Sequence, residues 1–122
     1  MATSKPAKQV GDLLLVEVAV GWTKEKITLL SGSIYPFGSV LAKVSGKYQV
    51  LDPTGTGAAK KAAAVLTESV DATTGDTPGV VIARGGVLDI NELTWPAGIT
   101  DAQKSTALEE LIALGIVARA TL

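Results

Sequence analysis

The sequence predicts a mixed, mainly β fold: a small barrel-like or sandwich-like domain with one packed α-helix and a flexible N-terminal arm. Three observations predict it. Several short runs rich in β-branched residues are separated by turns that contain glycine or proline. A single segment has the apolar spacing of a helix, and the start of the chain is small and polar. A length of 122 residues fits one domain that buries roughly two-thirds of its unfolded surface.

The N-terminal part of the chain divides into an arm and a strand. Residues 1–11 offer too little apolar surface to offset the entropy of ordering, so we expect a flexible arm. Residues 13–20 are rich in Leu and Val, which is typical of a strand, and Gly21 ends the run. Because this strand is apolar on both faces, it must be covered by the domain's own sheet or by another chain. We place the arm at residues 1–24, with the strand inside it, and the core domain at residues 25–122.

Turn signals divide the next part of the chain into strands. Residues 25–30 are typical of a second strand. Residues 40–44 and 48–51 alternate apolar and polar side chains around Ser45-Gly46. This pattern predicts a hairpin, because glycine supplies the positive φ that a tight turn needs.

A second hairpin and a further strand are predicted before the helix. Residues 62–71 and 80–84 flank a longer loop at 73–79 that contains Gly and Pro. Residues 87–93 form another short apolar run, which we interpret as a strand.

The helix is predicted over residues 101–114. Thr100 and Gln103 have the spacing of a capping box, in which each side chain bonds the other residue's backbone. One helical face is defined by i, i+3, i+4, i+7 spacing and comprises Leu108, Leu111, Ile112 and Gly115. Gly115 suits the left-handed position after the last turn, and residues 116–118 are predicted as a last strand. The sequence thus predicts about seven strands and one helix.

Two residue types that carry much enzyme chemistry are absent. The chain has no histidine, the side chain that titrates nearest neutral pH, and no cysteine, which excludes thiol catalysis, thiolate metal sites and disulfides. The formal net charge is −1, and no apolar run reaches the roughly 18 residues of a membrane span. We therefore expect no direct nucleic-acid partner and no membrane span.

The remaining candidates for chemistry are weak. Residues 55–61 combine glycines with two lysines, but the glycine spacing of a phosphate-binding loop is absent. Two pairs of carboxylates are close in sequence and are interpreted as solvated surface charge: Glu68 with Asp71, and Glu109 with Glu110. The residues around Asp76 lack the twelve-residue pattern of a calcium loop. We predict no catalytic residue, no bound cofactor and no metal site.

Trp95 and Pro96 stand between the last predicted strand of this region and the helix, and they admit two interpretations. As a core anchor, the Trp95 indole fills a groove beside the helix while Pro96 fixes the path of the chain. As an interface anchor, Trp95 contacts a partner, since tryptophan is enriched at binding hot spots. We favour the core anchor.

A series of short signatures runs in order along residues 27–117. They are residues 38–44, Gly46-Lys47-Tyr48, Asp52-Pro53, Gly57, Ala64-Val65-Leu66, Arg84-Gly85-Gly86-Val87, Leu93-Thr94-Trp95-Pro96 and Leu114-Gly115-Ile116. Taken together, their order and spacing resemble the head decoration proteins of tailed bacteriophages, the lambda protein D type.

The resemblance implies a non-enzymatic structural protein of the virion, made in the cytoplasm of the host bacterium. It implies a homotrimer on the capsid exterior, at three-fold positions of the expanded shell, where it clamps neighbouring subunits of the major capsid (coat) protein. It also implies an N-terminal arm that becomes ordered on the shell by adding a strand to a coat-protein sheet. On this basis the capsid-binding residues fall in the arm region: Leu13, Leu15, Val16, Val18, Val20 and Trp22. The apolar run 13–20 leaves two assignments open, a core or trimer-interface strand and a strand that augments a coat sheet.

Two other functions stay open at this point. A small β-barrel module that binds a carbohydrate or another ligand would need an exposed aromatic platform, and the chain has only five aromatic residues. A hydrolase would have to use carboxylates such as Glu68 and Asp71.

Overall fold

A computed structural model describes residues 10–19 and 21–120 as a five-stranded barrel with a small sheet and a helix beside it. Residues 1–9 of the predicted arm, and Val20, lie outside the described residues. The mixed, mainly β fold class with one packed helix is confirmed. The elements in chain order are α1 (Val10–Leu13), β1 (Leu14–Glu17), β2 (Lys24–Leu29), β3 (Ile34–Tyr35), β4 (Val40–Val44), β5 (Lys47–Val50), β6 (Ala64–Leu66), β7 (Val70–Asp71), β8 (Thr77–Ile82), β9 (Gly86–Asp89), α2 (Asp101–Ile112) and β10 (Ile116–Arg119).

The barrel closes in the order β2-β5-β4-β6-β8, with β8 returning to pair with β2. The β2–β8 ladder is the longest and runs antiparallel from Lys24 opposite Ile82 to Leu29 opposite Thr77. Closure removes the free edges that an open sheet would present to other chains. Alternating side chains fill the interior, and the buried ones include Ile27, Leu29, Leu41, Tyr48, Ala64, Leu66 and Val81.

The first predicted hairpin is confirmed. Strands β4 and β5 pair antiparallel up to Val44 opposite Lys47. Ser45 and Gly46 form the turn with φ of 52° and 83°. Two consecutive positive φ values are typical of the tight hairpin turn whose twist matches that of the flanking strands. Glycine adopts positive φ without steric strain, which explains Gly46 in this turn.

The second predicted hairpin is confirmed only in part. Strands β6 and β8 pair antiparallel, with Val65 opposite Ile82. The run 62–71 is not one strand, however, because the chain leaves the barrel after Leu66 and β7 pairs with β3 instead. The exit is fixed by the Thr67 hydroxyl, which donates to the Val80 carbonyl at 2.8 Å.

Strand β9 is the centre of a separate three-stranded sheet, antiparallel to β1 and parallel to β10. One face of this sheet joins α2 and the outer side of the barrel in a second core. Its fully buried members include Leu13, Val40, Ile82, Leu88, Leu111 and Ile116. The segment from Leu13 to Glu17 thus packs with the domain, while the sequence placed it in the arm at residues 1–24.

The predicted strand at 87–93 ends early. Strand β9 stops at Asp89, and Ile90–Glu92 forms a short 3-10 helix. The Asp89 carboxylate accepts a hydrogen bond from the Asn91 N–H at 3.0 Å. This cap stabilises the helical turn over the extended backbone that apolar content alone predicted.

The helix prediction is confirmed at its start and wrong at its end. The Gln103 N–H donates to Thr100 Oγ1 at 3.1 Å and the Thr100 N–H donates to Gln103 Oε1 at 2.9 Å, which completes the capping box. Helix α2 ends at Ile112 rather than at residue 114, and Gly115 follows with a φ of 78°. On the predicted face, Leu111 is buried and Leu108 packs against the second core, whereas Ile112 is 57% exposed; Ala107 is buried as well. No helix within residues 10–19 and 21–120 is long and apolar enough to cross a membrane.

Candidate functional site

Gly85 brings two distant segments to the start of β9. Its carbonyl accepts hydrogen bonds from the Val18 N–H at 3.1 Å and the Thr23 hydroxyl at 2.9 Å. Its own N–H donates to the Leu114 carbonyl at 3.2 Å. The stretch that follows β1 and the turn that follows α2 therefore meet at this glycine.

Trp22 lies directly on Gly85 and is held there. A Cβ atom on Gly85 would stand 2.2 Å from Cζ3 of the indole, so only glycine permits this contact. The Arg84 guanidinium lies 5.8 Å from the centroid of the Trp22 ring and donates to the Trp22 carbonyl, and it also pairs with Glu25 at 2.7 Å. The indole is nevertheless 49% exposed, so an ordered aromatic side chain faces the surroundings.

The outer face of the three-stranded sheet carries a row of three valines. Val16 of β1 and Val117 of β10 both lie opposite Val87, which is partly buried in the central strand. Val16 is 48% exposed and Val117 is 40% exposed. Directly opposed residues of neighbouring strands project to the same face, so the row forms a continuous apolar stripe across the sheet.

We define the apolar patch as the exposed apolar side chains grouped around residues 85–87: Val16, Val18, Trp22, Leu114 and Val117. Val18 is the most exposed of them, at 63%. Beside the patch, β1 pairs with β9 on one side and with no strand on its other side within the described part of the chain. An apolar patch next to an open strand edge is typical of a surface that binds another chain.

The structure divides the predicted capsid-binding residues. Val16, Val18 and Trp22 belong to the apolar patch, Leu15 is partly exposed beside an irregularity in the β1 register, and Val20 is outside the described residues.

Leu13 lies in the interior of the domain. It has no exposed surface and packs in the second core, because the turn of helix α1 directs the chain inward before β1 begins.

Leu114 and Val117 are the patch residues that sequence reasoning did not select. Val117 joins the patch through the parallel pairing of β10 with β9, and Leu114 joins it through the hydrogen bond from the Gly85 N–H. Both links connect residues about 30 positions apart in sequence. The only sequence signal was the alternation around residue 117, where buried Ile116 precedes exposed Val117.

Trp95 and Pro96 lie away from the patch. Trp95 is partly buried and packs against the second core. Its neighbour Thr94 is tied to the barrel by hydrogen bonds, since the Thr94 N–H donates to Gly38 at 2.8 Å and the Thr94 carbonyl accepts from Val40 at 3.2 Å. Pro96 lines an open cavity of about 410 Å³ between this segment and the barrel.

The carboxylates have structural partners. The Thr73 hydroxyl and N–H hold the pKa of Asp71 below its usual value, and a hydrogen bond from Lys47 followed by one from the Ser31 N–H does the same for the pKa of Asp76. Residues 10–19 and 21–120 contain no group of three or more carboxylates that could hold a metal ion.

The interpretation of the helical carboxylates as solvated charge is wrong for one of them. Glu109 is exposed, but Glu110 is partly buried and accepts a hydrogen bond from the Ala62 N–H at 2.9 Å. Glu110 thereby fastens α2 to the chain that enters β6.

The aromatic residues are dispersed. Tyr35 and Tyr48 are buried, Phe37 and Trp95 are partly buried, and Trp22 alone of the five is exposed. A single exposed ring does not form the platform on which a carbohydrate-binding module stacks its ligand.

A barrel domain with an ordered apolar patch and an open strand edge belongs to the class of proteins that act through contact surfaces. The particular family follows from comparison: the family model of the bacteriophage lambda head decoration protein D matches residues 3–116, and the chain belongs to that family. The family is structural and not enzymatic, so the chain is a structural component of the phage capsid. No curated protein matches the sequence.

Proposed function

We propose that the chain forms a homotrimer on the exterior of the expanded phage shell, at three-fold positions, and clamps neighbouring coat subunits there. In this proposal it is made in the host cytoplasm and joins the shell after expansion. A protein that binds the expanded shell but not the unexpanded or ruptured one stabilises the expanded form by mass action. Membership of the head decoration family supports the capsid role.

The apolar patch and the open edge of β1 form the proposed coat-binding surface. The observation that carries this proposal is the exposure of Val16 and Val18 on and just after an edge strand, next to the fixed indole of Trp22. A coat segment that paired with β1 would add backbone hydrogen bonds worth roughly 0.5–1.5 kcal/mol each. The patch would supply apolar contact beside those bonds, with Trp22 as a rigid anchor.

Three copies of this surface would act together in a trimer. Once one subunit is attached, the other two bind at a high effective concentration, so that moderate single contacts give tight attachment overall. This explains why the proposed surface does not need to be large.

We propose that the arm ends before Leu13 and that the domain begins there, which revises the boundary expected from sequence. The burial of Leu13 and the pairing of β1 with β9 support this division. In this proposal the arm contacts the shell in addition to the apolar patch. Trp95 and Pro96 keep their proposed role as a core anchor, supported by the packing of Trp95 against the second core.

The test measures binding of the purified protein to expanded and unexpanded shells that lack a decoration protein, by co-sedimentation. Mass measurement in solution tests the trimer. Val18→Asp should abolish binding to expanded shells, since it places a charge in the apolar patch. Ile34→Asp is the matched control, because Ile34 is equally exposed, at 63%, but lies on β3 outside the patch.

Both variants are first checked for an unchanged unfolding temperature. Full binding by Val18→Asp, or an equal loss in both variants, would refute the assignment of the coat-binding surface. A wild-type protein that fails to bind expanded shells would refute the proposed function itself.

A further inference from the structure

One mouth of the barrel is charged. The interior face of β2 carries Ile27 and Leu29, and that of β4 carries Leu41. Glu25 stands two residues before Ile27, and Lys43 stands two residues after Leu41. Because side chains alternate along a strand, Glu25 and Lys43 lie on the same interior face as these apolar residues. They line an open cavity of about 430 Å³ together with Tyr48, Lys61 and Arg84.

The charges at this mouth are not balanced. Arg84 pairs with Glu25 at 2.7 Å, which uses the single carboxylate of the cavity lining. Lys43 and Lys61 form no ion pair within the described residues. The mouth therefore has an excess of two positive charges, although the whole chain has a formal net charge of −1.

Lys43 lies beside an aromatic ring that lines the cavity. The Lys43 ammonium lies 5.8 Å from the centroid of the Tyr48 ring, directly across the β4–β5 ladder. Burial, followed by the charge of Glu25, raises the pKa of Tyr48, so its hydroxyl stays protonated and can donate a hydrogen bond at neutral pH. Two exposed lysines and the buried Tyr48 thus line one open cavity.

The mouth is continuous with the apolar patch. Arg84 and Leu114 both line the cavity, Leu114 is itself a patch residue, and the Arg84 guanidinium packs against the Trp22 ring. A chain that covers the patch therefore lies next to Lys43 and Lys61, which have no ion pair among residues 10–19 and 21–120.

We propose that the barrel mouth binds a carboxylate side chain of the coat subunit that covers the apolar patch. The inference rests on the proposed function and adds the chemistry of the partner: an apolar segment that carries an Asp or Glu. A carboxylate complements two ammonium groups that have no ion-pair partner within the described residues, and charge-assisted hydrogen bonds are stronger than neutral ones.

The test compares two double variants that remove the same charge. Lys43→Gln with Lys61→Gln alters the mouth, and Lys26→Gln with Lys104→Gln is the control, because Lys26 is exposed on the outer face of β2 and Lys104 lies on α2. On decoration-free expanded shells at low salt, we expect the mouth variant to bind about tenfold more weakly than the wild type and the control to bind within about twofold. The mouth variant should also lose part of the salt dependence that the wild type has.

The outcomes separate the two proposals. If the wild type binds and both double variants weaken binding equally or not at all, the carboxylate site is refuted while the proposed function stands. If the wild type does not bind, the proposed function has failed.

A second measurement identifies the partner directly. Carbodiimide coupling on decorated shells joins an ammonium to a carboxylate in contact with it, and mass spectrometry locates the linked residues. A link from Lys43 or Lys61 to a coat Asp or Glu supports the proposal. Links from these lysines only to another copy of the chain, or no link here while other lysines react, would overturn it.

Discussion

Replacement of Leu13 by alanine distinguishes a core residue from an arm residue. The Leu13 side chain has no exposed surface and packs in the second core with Leu88 and Leu111. Truncating a fully buried leucine to alanine costs about 2–5 kcal/mol, from lost burial and from the cavity that remains. Leu15→Ala is the matched control, since Leu15 is 37% exposed two positions later, and its truncation should cost less than about 1 kcal/mol.

The difference is large compared with the stability of a domain of this size. Typical domains unfold with a free energy of about 5–15 kcal/mol, so Leu13→Ala removes a considerable fraction of it. The average unfolding entropy per residue implies about 4 °C of melting temperature for each kcal/mol in a chain of 122 residues. We therefore expect Leu13→Ala to melt about 8–20 °C below the wild type, and Leu15→Ala to melt within about 4 °C of it.

The assay is urea and thermal unfolding of the three proteins, followed by circular dichroism. The dependence of the free energy on urea should be unchanged, which shows that the same cooperative unit unfolds in each case. A Leu13→Ala protein within about 0.5 kcal/mol of the wild type would refute the reasoning. Leu13 would then not be packed in the domain in solution, and the boundary of the arm would return to a later residue.

Two further predictions concern the fixed tryptophan and the pH dependence of stability. Gly85→Ala should displace the Trp22 indole and weaken shell binding, because the indole packs against Gly85. Gly98→Ala is the control and should leave binding unchanged, because no ring lies against Gly98. Both variants replace a glycine of positive φ, at a cost of about 1–2 kcal/mol in stability. Tryptophan fluorescence and co-sedimentation check this, and equal binding by the two variants would contradict it. Asp76→Asn should lower stability at neutral pH but not in strong acid. The pKa of Asp76 is lower in the folded protein than in the unfolded chain. The stability that the Asp76 carboxylate contributes is therefore present above the unfolded-state pKa and is lost as pH falls through the folded-state pKa. Unfolding of both proteins as a function of pH measures the difference, and a gap that persists in acid would count against this role.

Features that depend on near neighbours were predictable from the sequence. The turn at Ser45 and Gly46 and the cap at Thr100 and Gln103 involve hydrogen bonds or dihedral angles within about three residues. Such features follow from residue type at a given spacing, and the structure confirms both. The general apolar character of the segment after Gly11 was also apparent.

Features that depend on long-range pairing were not predictable. The sequence does not indicate that β9 lies between β1 and β10, so the row of Val16, Val87 and Val117 could not be assembled from it. The same holds for the charged mouth, because Lys43 and Lys61 line one cavity only once β4 pairs with β6. In each case the chemistry of the residue is evident in the sequence, but its neighbours are determined only by the topology.

The two assignments left open for the apolar run need not exclude each other. An edge strand has two sides, and within the described part of the chain β1 pairs on one of them, with β9. Leu13 and Leu14 pack against the second core, whereas Val16 and Val18 remain exposed. An exposed apolar edge favours aggregation of a free protein unless charges flank it or a partner covers it. Glu17 stands between the two exposed valines, and its carboxylate lies 3.8 Å from the Lys24 ammonium, so one ion pair interrupts the apolar edge. The segment can therefore belong to the domain and still be the surface that we propose a coat subunit covers.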